Sequence, residues 1–224
     1  NEKKGLFPNT KWKKNNLGRG WVLGETLITG IGQGYIQSTP LQLCMMTAQI
    51  ANGGYAIKPK IIVDSNPISY EDAKQSMESG LLFDSDSETL LDKRLFKNQK
   101  NIKIVQEAMF SSTNERFGTS YKSRIDNPKY QFAGKTGTAQ VKRISKRERE
   151  LDLELEQIPY KDRDHALYVA YGPYVNPRYA LSIIVEHGGS GSKAAAPIAK
   201  KLFKLIIDRH DLRNKQSNFE RITV

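Results

Sequence analysis

Cysteine is almost missing from this sequence. Cys44 stands alone in 224 residues, which excludes an internal disulfide and any zinc site built on several thiolates. Histidine is scarce as well. His165, His187 and His210 share no ligand spacing such as His-x-x-x-His, so neither a structural metal nor another cofactor is expected. No apolar run is long enough to cross a bilayer, and the longest, around Ile183-Ile184-Val185, has the length of a strand. No signal-peptide pattern is present either, and the sequence opens on Asn1 rather than Met, as a piece of something longer would.

What the sequence has in excess is positive charge, a formal +11. Such a surface suits an anionic polymer or membrane. Nucleic acid is not expected as a partner, because neither zinc-finger spacing nor an aromatic RNA-binding strand signature occurs. A basic face turned to acidic cell-envelope material or lipid headgroups accounts for the charge. The length suffices for one domain with a real core.

Residues 1–20 are polar and basic, with Lys3-Lys4, Lys11 and Lys13-Lys14 spaced by Gly5, Pro8 and Asn15-Asn16, and are expected to be loop. Trp12 and Trp21 are expected to anchor them. Gly24 to Gly34 is glycine-dense, with Glu25 its one charge. Helix signals follow: Thr39 as N-cap, Pro40 at the first helical position, and Gln42 placed to complete a capping box. Leu41, Cys44, Ala48 and Ala51 share one face, which makes Cys44 and Met45-Met46 core residues rather than redox chemistry. Asn52-Gly53-Gly54 ends that helix.

Tyr55 to Val63 reads as a short strand pair or an extended arm broken by Pro59. Residues 65–98 are expected to form a surface insertion with short helices near Tyr70–Ser79 and Asp86–Phe96. Ile102, Val105, Ala108 and Met109 recur at helical spacing, predicting a helix to about Phe110, and residues 111–128 read as a polar loop.

Residues 142–164 are a charged excursion in which Leu151, Leu155 and Ile158 fit a helix face while Leu151, Leu153 and Leu155 fit a strand. Leu167–Tyr171 and Tyr179–Val185 are strands joined by a turn at Asn176-Pro177. With the segment from Tyr130 to Val141 they predict an antiparallel sheet covered on both faces, with packed helices, an α/β fold of the α+β kind. Residues 188–192 read as a flexible link. Pro197 sits in the first turn of a last helix whose stripe Ile198, Leu202, Leu205 and Ile206 is expected to lie on the sheet. Residues 214–224 read as a disordered tail.

The chemistry concentrates in Ala133-Gly134-Lys135-Thr136-Gly137-Thr138-Ala139-Gln140. Gly-Lys-Thr is how a phosphate-binding loop ends, but that motif needs a glycine where Lys129 stands, and Tyr130-Gln131-Phe132-Ala133 has strand character. The other reading is the Lys-Thr-Gly box of penicillin-recognising acyl transferases. A three-residue box is weak alone; its surroundings decide.

Four stretches stand in a familiar order: Gly24-Glu25-Thr26 through Gly32-Gln33-Gly34 with Thr39-Pro40-Leu41-Gln42; Gly134 to Gln140; Asp164-His165-Ala166; and Glu186-His187-Gly188-Gly189 running into Ala195-Ala196-Pro197-Ile198-Ala199. In these the chain resembles the C-terminal part of the transpeptidase domain of elongation-type class B penicillin-binding proteins, the penicillin-binding protein 2 group, across residues 1–224. The resemblance implies acyl transfer from D-Ala-D-Ala stem peptides in peptidoglycan cross-linking, with β-lactams as mimics of the donor. It implies that Lys135, Thr136 and Thr138 hold the donor's carboxylate, that Gly137 lets the donor lie against the strand, and that the Thr138 N–H is one oxyanion donor. It also implies a periplasmic location at the bacterial inner membrane, an anchor outside these residues, and as partners a membrane glycan polymerase and the cell-elongation machinery.

The family's Ser-x-x-Lys and Ser-x-Asn boxes belong before Gly24, and neither is found there. The nucleophile is therefore expected to be absent from this chain, which would be acylation-incompetent alone and an N-terminally incomplete version of the fold. Two further strands and a helix would be missing from the sheet, leaving Tyr179–Val185 with a bare edge and the isolated chain poorly soluble or marginally stable. Ser190-Gly191-Ser192-Lys193 and Ser112-Thr113-Asn114 match the boxes in letters but not in order, and His165 is expected to be structural. A β-lactamase or β-lactam sensor of the same fold, and a non-catalytic binding remnant, remain alternatives.

Overall fold

A computed structural model describes residues 3–57, 59, 94–96, 98–142 and 153–222, those from 214 onward as backbone only. The first helix, α1 (Thr10–Leu17), occupies a segment whose lysines and asparagines suggested loop. Its signals are at its ends. The Asn9 side chain accepts the Trp12 N–H at 2.8 Å, and Gly18 closes the helix in the left-handed conformation with φ 64°. Trp12 meets Tyr35 at a ring distance of 5.4 Å, and Trp21 donates to Thr26 Oγ1, so both tryptophans tie down the N-terminal segment. Helix α2 (Leu23–Gly30) runs through the glycine-dense stretch. Its Glu25 takes the Val22 N–H and pairs with Lys13 at 2.5 Å. The hydrogen bond from Lys13, then that from Val22, holds the Glu25 carboxyl below the usual carboxylate range.

Helix α3 (Pro40–Ala51) begins with the expected capping box of Thr39 and Gln42. Its expected face holds at Cys44, Ala48 and Ala51, which are half-buried, but not at Leu41, and Met46, expected in the core, is 43% exposed. Leu41 is 42% exposed, while Thr47 is fully buried because its hydroxyl returns to the Leu43 carbonyl. Cys44 is half-buried and donates to the Ala180 carbonyl at 3.5 Å. Helix α4 (Gln99–Asn114) outruns the expected end at Phe110 by a turn. The polar residues that close it find partners: Thr113 Oγ1 reaches the Met109 carbonyl, and Asn114 Nδ2 donates to the Phe110 and Phe132 carbonyls. Gln106 Nε2 donates to the Ile50 carbonyl at 2.7 Å, fastening α4 to the end of α3. The short helices expected within residues 65–98, and the far part of the Tyr55–Val63 arm, lie outside the described residues. Tyr55 itself forms a bridge to Arg94.

Three antiparallel strands make the sheet, in the order β1 (Ala133–Ala139), β2 (His165–Gly172) and β3 (Tyr179–Val185). Alternation assigns the faces. Ala166, Tyr168 and Ala170 of β2 turn to the last helix, α5 (Ala196–Ile222), together with Phe132 just before β1. Val169 and Tyr171 of β2, with Ala133 of β1, turn instead to α3 and α4, meeting Ile50, Met109 and Phe110. The sheet is thus covered on both faces, as the near-continuous hydrophobicity of β3 predicted.

Helix α5 lies on the sheet by a different stripe from the one its large residues suggested. Ala195, Ala196, Ala199, Phe203 and Ile207 are buried, while Ile198 is 40% and Leu205 64% exposed. Alanines on the helix facing alanines on β2 let the two backbones approach closely, and Phe203 then stacks on Phe132 at 4.8 Å. The helix backbone continues to Ile222, through the segment expected to be a disordered tail. The expected flexible link is packed as well. Gly191–Ala195 forms a π turn, and a side chain on buried Gly191 would strike the carbonyls of Leu167 and Gly137.

Candidate functional site

The structure brings Lys135, Thr136, Gly137 and Thr138 together on β1, which has β2 as its one partner among the described strands. Lys135 and Thr138 are exposed, and Thr136 and Gly137 are half-buried. Lys135 Nζ folds back to the Thr136 carbonyl at 2.7 Å and forms no ion pair with a carboxylate among the described residues. Its charge is therefore available to an incoming anion. The Thr136 hydroxyl lies 3.2 Å from that of Thr119, and Thr119 lies 3.3 Å from Ser112. On one side of the strand Lys135 borders a largely apolar cavity of about 620 Å³ against α3 and α4. Toward the end of the strand, Thr138 borders a second, of about 710 Å³, with the turn that follows α2. Gly137 gives β1 a flat stretch: a Cβ there would come within 3.2 Å of Leu167 Cβ.

Beneath β1 lies a buried polar knot that sequence reasoning did not find. Tyr168 reaches from β2 under Gly134, and its hydroxyl meets Thr113 Oγ1 at 2.9 Å and Ser120 Oγ at 3.0 Å. Burial pushes the Tyr168 phenol up, so it stays an O–H donor. Thr113 and Ser120 lie seven residues apart, but Tyr168 comes from 48 residues beyond Ser120, and no local pattern joins the three.

The look-alike boxes have other occupations. Thr113 and Asn114 of Ser112-Thr113-Asn114 are consumed by the knot and by the Phe110 and Phe132 carbonyls. Ser190 Oγ lies 3.0 Å from Ser192 Oγ at the entry to the π turn, where Lys193 is exposed. His165 Nδ1 accepts the His187 N–H at 2.9 Å, and His187 Nδ1 stands 2.9 Å from the Arg163 carbonyl. That pair, with ring centroids 4.7 Å apart, braces the end of the sheet where Ala139 pairs with His165, and it holds His187 at φ 55°. Asp164 adds a tie by accepting the Val141 N–H at 3.2 Å.

β1 thus presents a lysine and threonine hydroxyls along an edge with no strand partner among the described residues. Comparison with known proteins identifies the family. Residues 1–204 match the model of the penicillin binding protein transpeptidase domain. This chain belongs to that family. It is 31% identical over 212 residues to the peptidoglycan D,D-transpeptidase MrdA of Salmonella typhimurium, covering 91% of this chain and 30% of the relative. Among solved structures, penicillin-binding protein 2 of Pseudomonas aeruginosa in complex with WCK 5153 superposes with a TM-score of 0.67 at 34% identity, over 91% of this chain and 38% of that one. The complex of penicillin-binding protein 2 with MreC from Helicobacter pylori gives 0.66 at 32% identity, over 92% and 32%. The chain thus spans about a third of the length of these relatives. No helix among the described residues is long and apolar enough to cross a membrane, and no metal-binding cluster occurs among them.

Proposed function

We propose that β1 is the donor-docking strand of a peptidoglycan D,D-transpeptidase. Lys135 and the hydroxyls of Thr136 and Thr138 take the terminal carboxylate of a D-Ala-D-Ala stem peptide, and a β-lactam carboxylate takes the same place. The Thr138 N–H serves the oxyanion of the tetrahedral intermediate. A serine supplied from outside these 224 residues attacks the carbonyl between the two D-alanines. The C–N bond breaks, the last D-Ala leaves with a proton, and the acyl ester passes to an amine of a neighbouring stem. The reaction belongs on the periplasmic side of the inner membrane, with an anchor from other sequence, beside a membrane glycan polymerase and the elongation machinery. The likeness to a relative solved with MreC supports that setting.

The observation that carries this reading is Lys135, exposed and without a carboxylate partner among the described residues, on an edge strand of a chain that belongs to the transpeptidase family. The test is labelling with a fluorescent penicillin, of the 224-residue chain and of the chain with its natural flanking sequence. The first is expected to stay unlabelled and the second to form a stable adduct. In the second, Lys135→Ala should slow acylation roughly ten- to a hundredfold, as loss of a charge-assisted contact does, with unchanged circular dichroism. An adduct on Ser190 or Ser112 of the short chain overturns the account of the nucleophile. No adduct on the flanked chain leaves a non-catalytic binding module, and rapid penicillin turnover there marks a β-lactamase.

A further inference from the structure

The carbonyls at the free edge of β1 are already occupied. Gly134, Thr136 and Thr138, alternate residues of the strand, each offer a carbonyl to a side chain. Gly134 O lies 3.5 Å from Thr113 Oγ1, Thr136 O accepts from Lys135 Nζ at 2.7 Å, and Thr138 O accepts from Gln33 Nε2 at 3.0 Å. The three caps differ in kind. Thr113 is fully buried in the knot and is a fixture. Lys135 belongs to the strand itself. Gln33 arrives from 105 residues away, between Gly32 at φ 76° and Gly34 at φ 80°. L side chains rarely adopt such angles, so the chain makes a special bend on both sides of one polar residue. That bend aims Gln33 across the cavity of about 710 Å³ at the strand.

An antiparallel pair of residues that hydrogen-bonds at all exchanges both of its N–H···O bonds. A donor whose reacting carbonyl sits on the Thr138 N–H therefore brings the N–H of that same residue to the Thr138 carbonyl. Gln33 holds that carbonyl. We propose that Gln33 is a placeholder that occupies the Thr138 carbonyl and competes for it with a donor amide N–H. The inference rests on the reading of β1 as the docking strand. A ligand with the N–H must displace Gln33 and trades one hydrogen bond for another. A ligand without the N–H leaves Gln33 in place. Gln33 thus weakens the binding of amide-bearing donors and leaves that of other carboxylates of similar shape unaffected.

The test uses acetyl-D-Ala-D-Ala and the same dipeptide methylated on the nitrogen of its first D-Ala. Each competes against fluorescent penicillin for the chain with its natural flanking sequence. Gln33→Met keeps the volume and removes the donor. It should bind the unmethylated dipeptide roughly two- to tenfold more tightly, the worth of one net hydrogen bond, and leave the methylated one unchanged. Equal changes for both ligands, or none, make Gln33 a structural prop and overturn the proposal while the docking strand stands. If wild type takes up neither penicillin nor dipeptide, the docking reading falls and the proposal with it. A readout independent of variant folding is the side-chain amide NMR signal of Gln33 in wild type. It should move on adding the unmethylated dipeptide and stay still with the methylated one; movement with both overturns the exchange.

Discussion

The Tyr168 hydroxyl lies where a side chain on Gly134 would have to go, because a Cβ built on Gly134 falls well inside contact distance of Tyr168 Oη. The glycine just before the Lys-Thr-Gly box is therefore required from below, by a phenol spanning the underside of the strand. Gly134→Ala should destabilise the fold by about 1–3 kcal/mol through overpacking. Tyr168→Leu makes room, because the ring carbons Cζ and Cε1 would crowd the new Cβ as the hydroxyl does, but it takes the phenol from Thr113 and Ser120 and leaves a cavity, so it has a cost of its own. Denaturant melts of both single variants and the double variant would show the contact. The double should lose less than the sum of the singles by at least about 0.5 kcal/mol, and strict additivity would sink the claim.

A second prediction concerns the clasp between the lead-in to β1 and α5. Lys129 Nζ stands 3.0 Å from Asp208 and 2.9 Å from Asp211, and the Tyr130 hydroxyl donates to Asp208 at 2.5 Å. The hydrogen bond from Tyr130, then that from Lys129, depresses the Asp208 carboxyl, and Lys129 depresses that of Asp211. Carboxyls depressed in the folded state stabilise it above the ordinary aspartate value of about 3.9, and that stability is lost as pH falls through their lower folded values. Melting temperature should therefore drop on acidification below about pH 4 more steeply in the wild type than in an Asp208→Asn, Asp211→Asn variant. Parallel curves would show that the clasp is only a surface decoration. The groups are solvated, so salt should flatten the difference.

Cys44 gives a third measurement, and it reports on α3. Burial pushes its thiol up from the ordinary value, and the thiol donates to Ala180 across the α3–β3 contact. Thiolate is the reactive form. Alkylation of the native chain near pH 8 should run roughly tenfold or more below that of the denatured chain, rising together with the unfolding transition. Labelling at the denatured rate in native buffer would mean that α3 does not hold its place on the sheet.

Much of this molecule is legible in its sequence, and the illegible part has a common cause. Thr39, Pro40 and Gln42 announce α3 because a capping box is local chemistry, and Tyr179–Val185 announces β3 because its composition is. Helix α1 was hidden only by its lysines and asparagines; Asn9 and Gly18, its two caps, were readable. The face of α5 was not. Large residues advertise burial, yet the close approach of helix to sheet needed small ones, so Ala196 and Ala199 went inside and Leu205 stayed out. In the site, the box itself was plain, because Lys135 to Thr138 are contiguous. Gln33, Thr119, Ser120 and Tyr168 were not plain, since each acts on the box from far along the chain. Only Gln33 carried a faint mark, a polar residue set between two glycines.

The two ends of β1 are held by different means. At Gly134 the strand sits on the buried contacts of Tyr168, Thr113 and Ser120, while at Thr138 and beyond it is kept by half-buried Gln33 and Asp164 and by the histidine pair beside Ala139. The box is thus held fore and aft, like a plank on two trestles. A peptide that docks there meets a strand already fixed at both ends, so little ordering entropy is lost on binding.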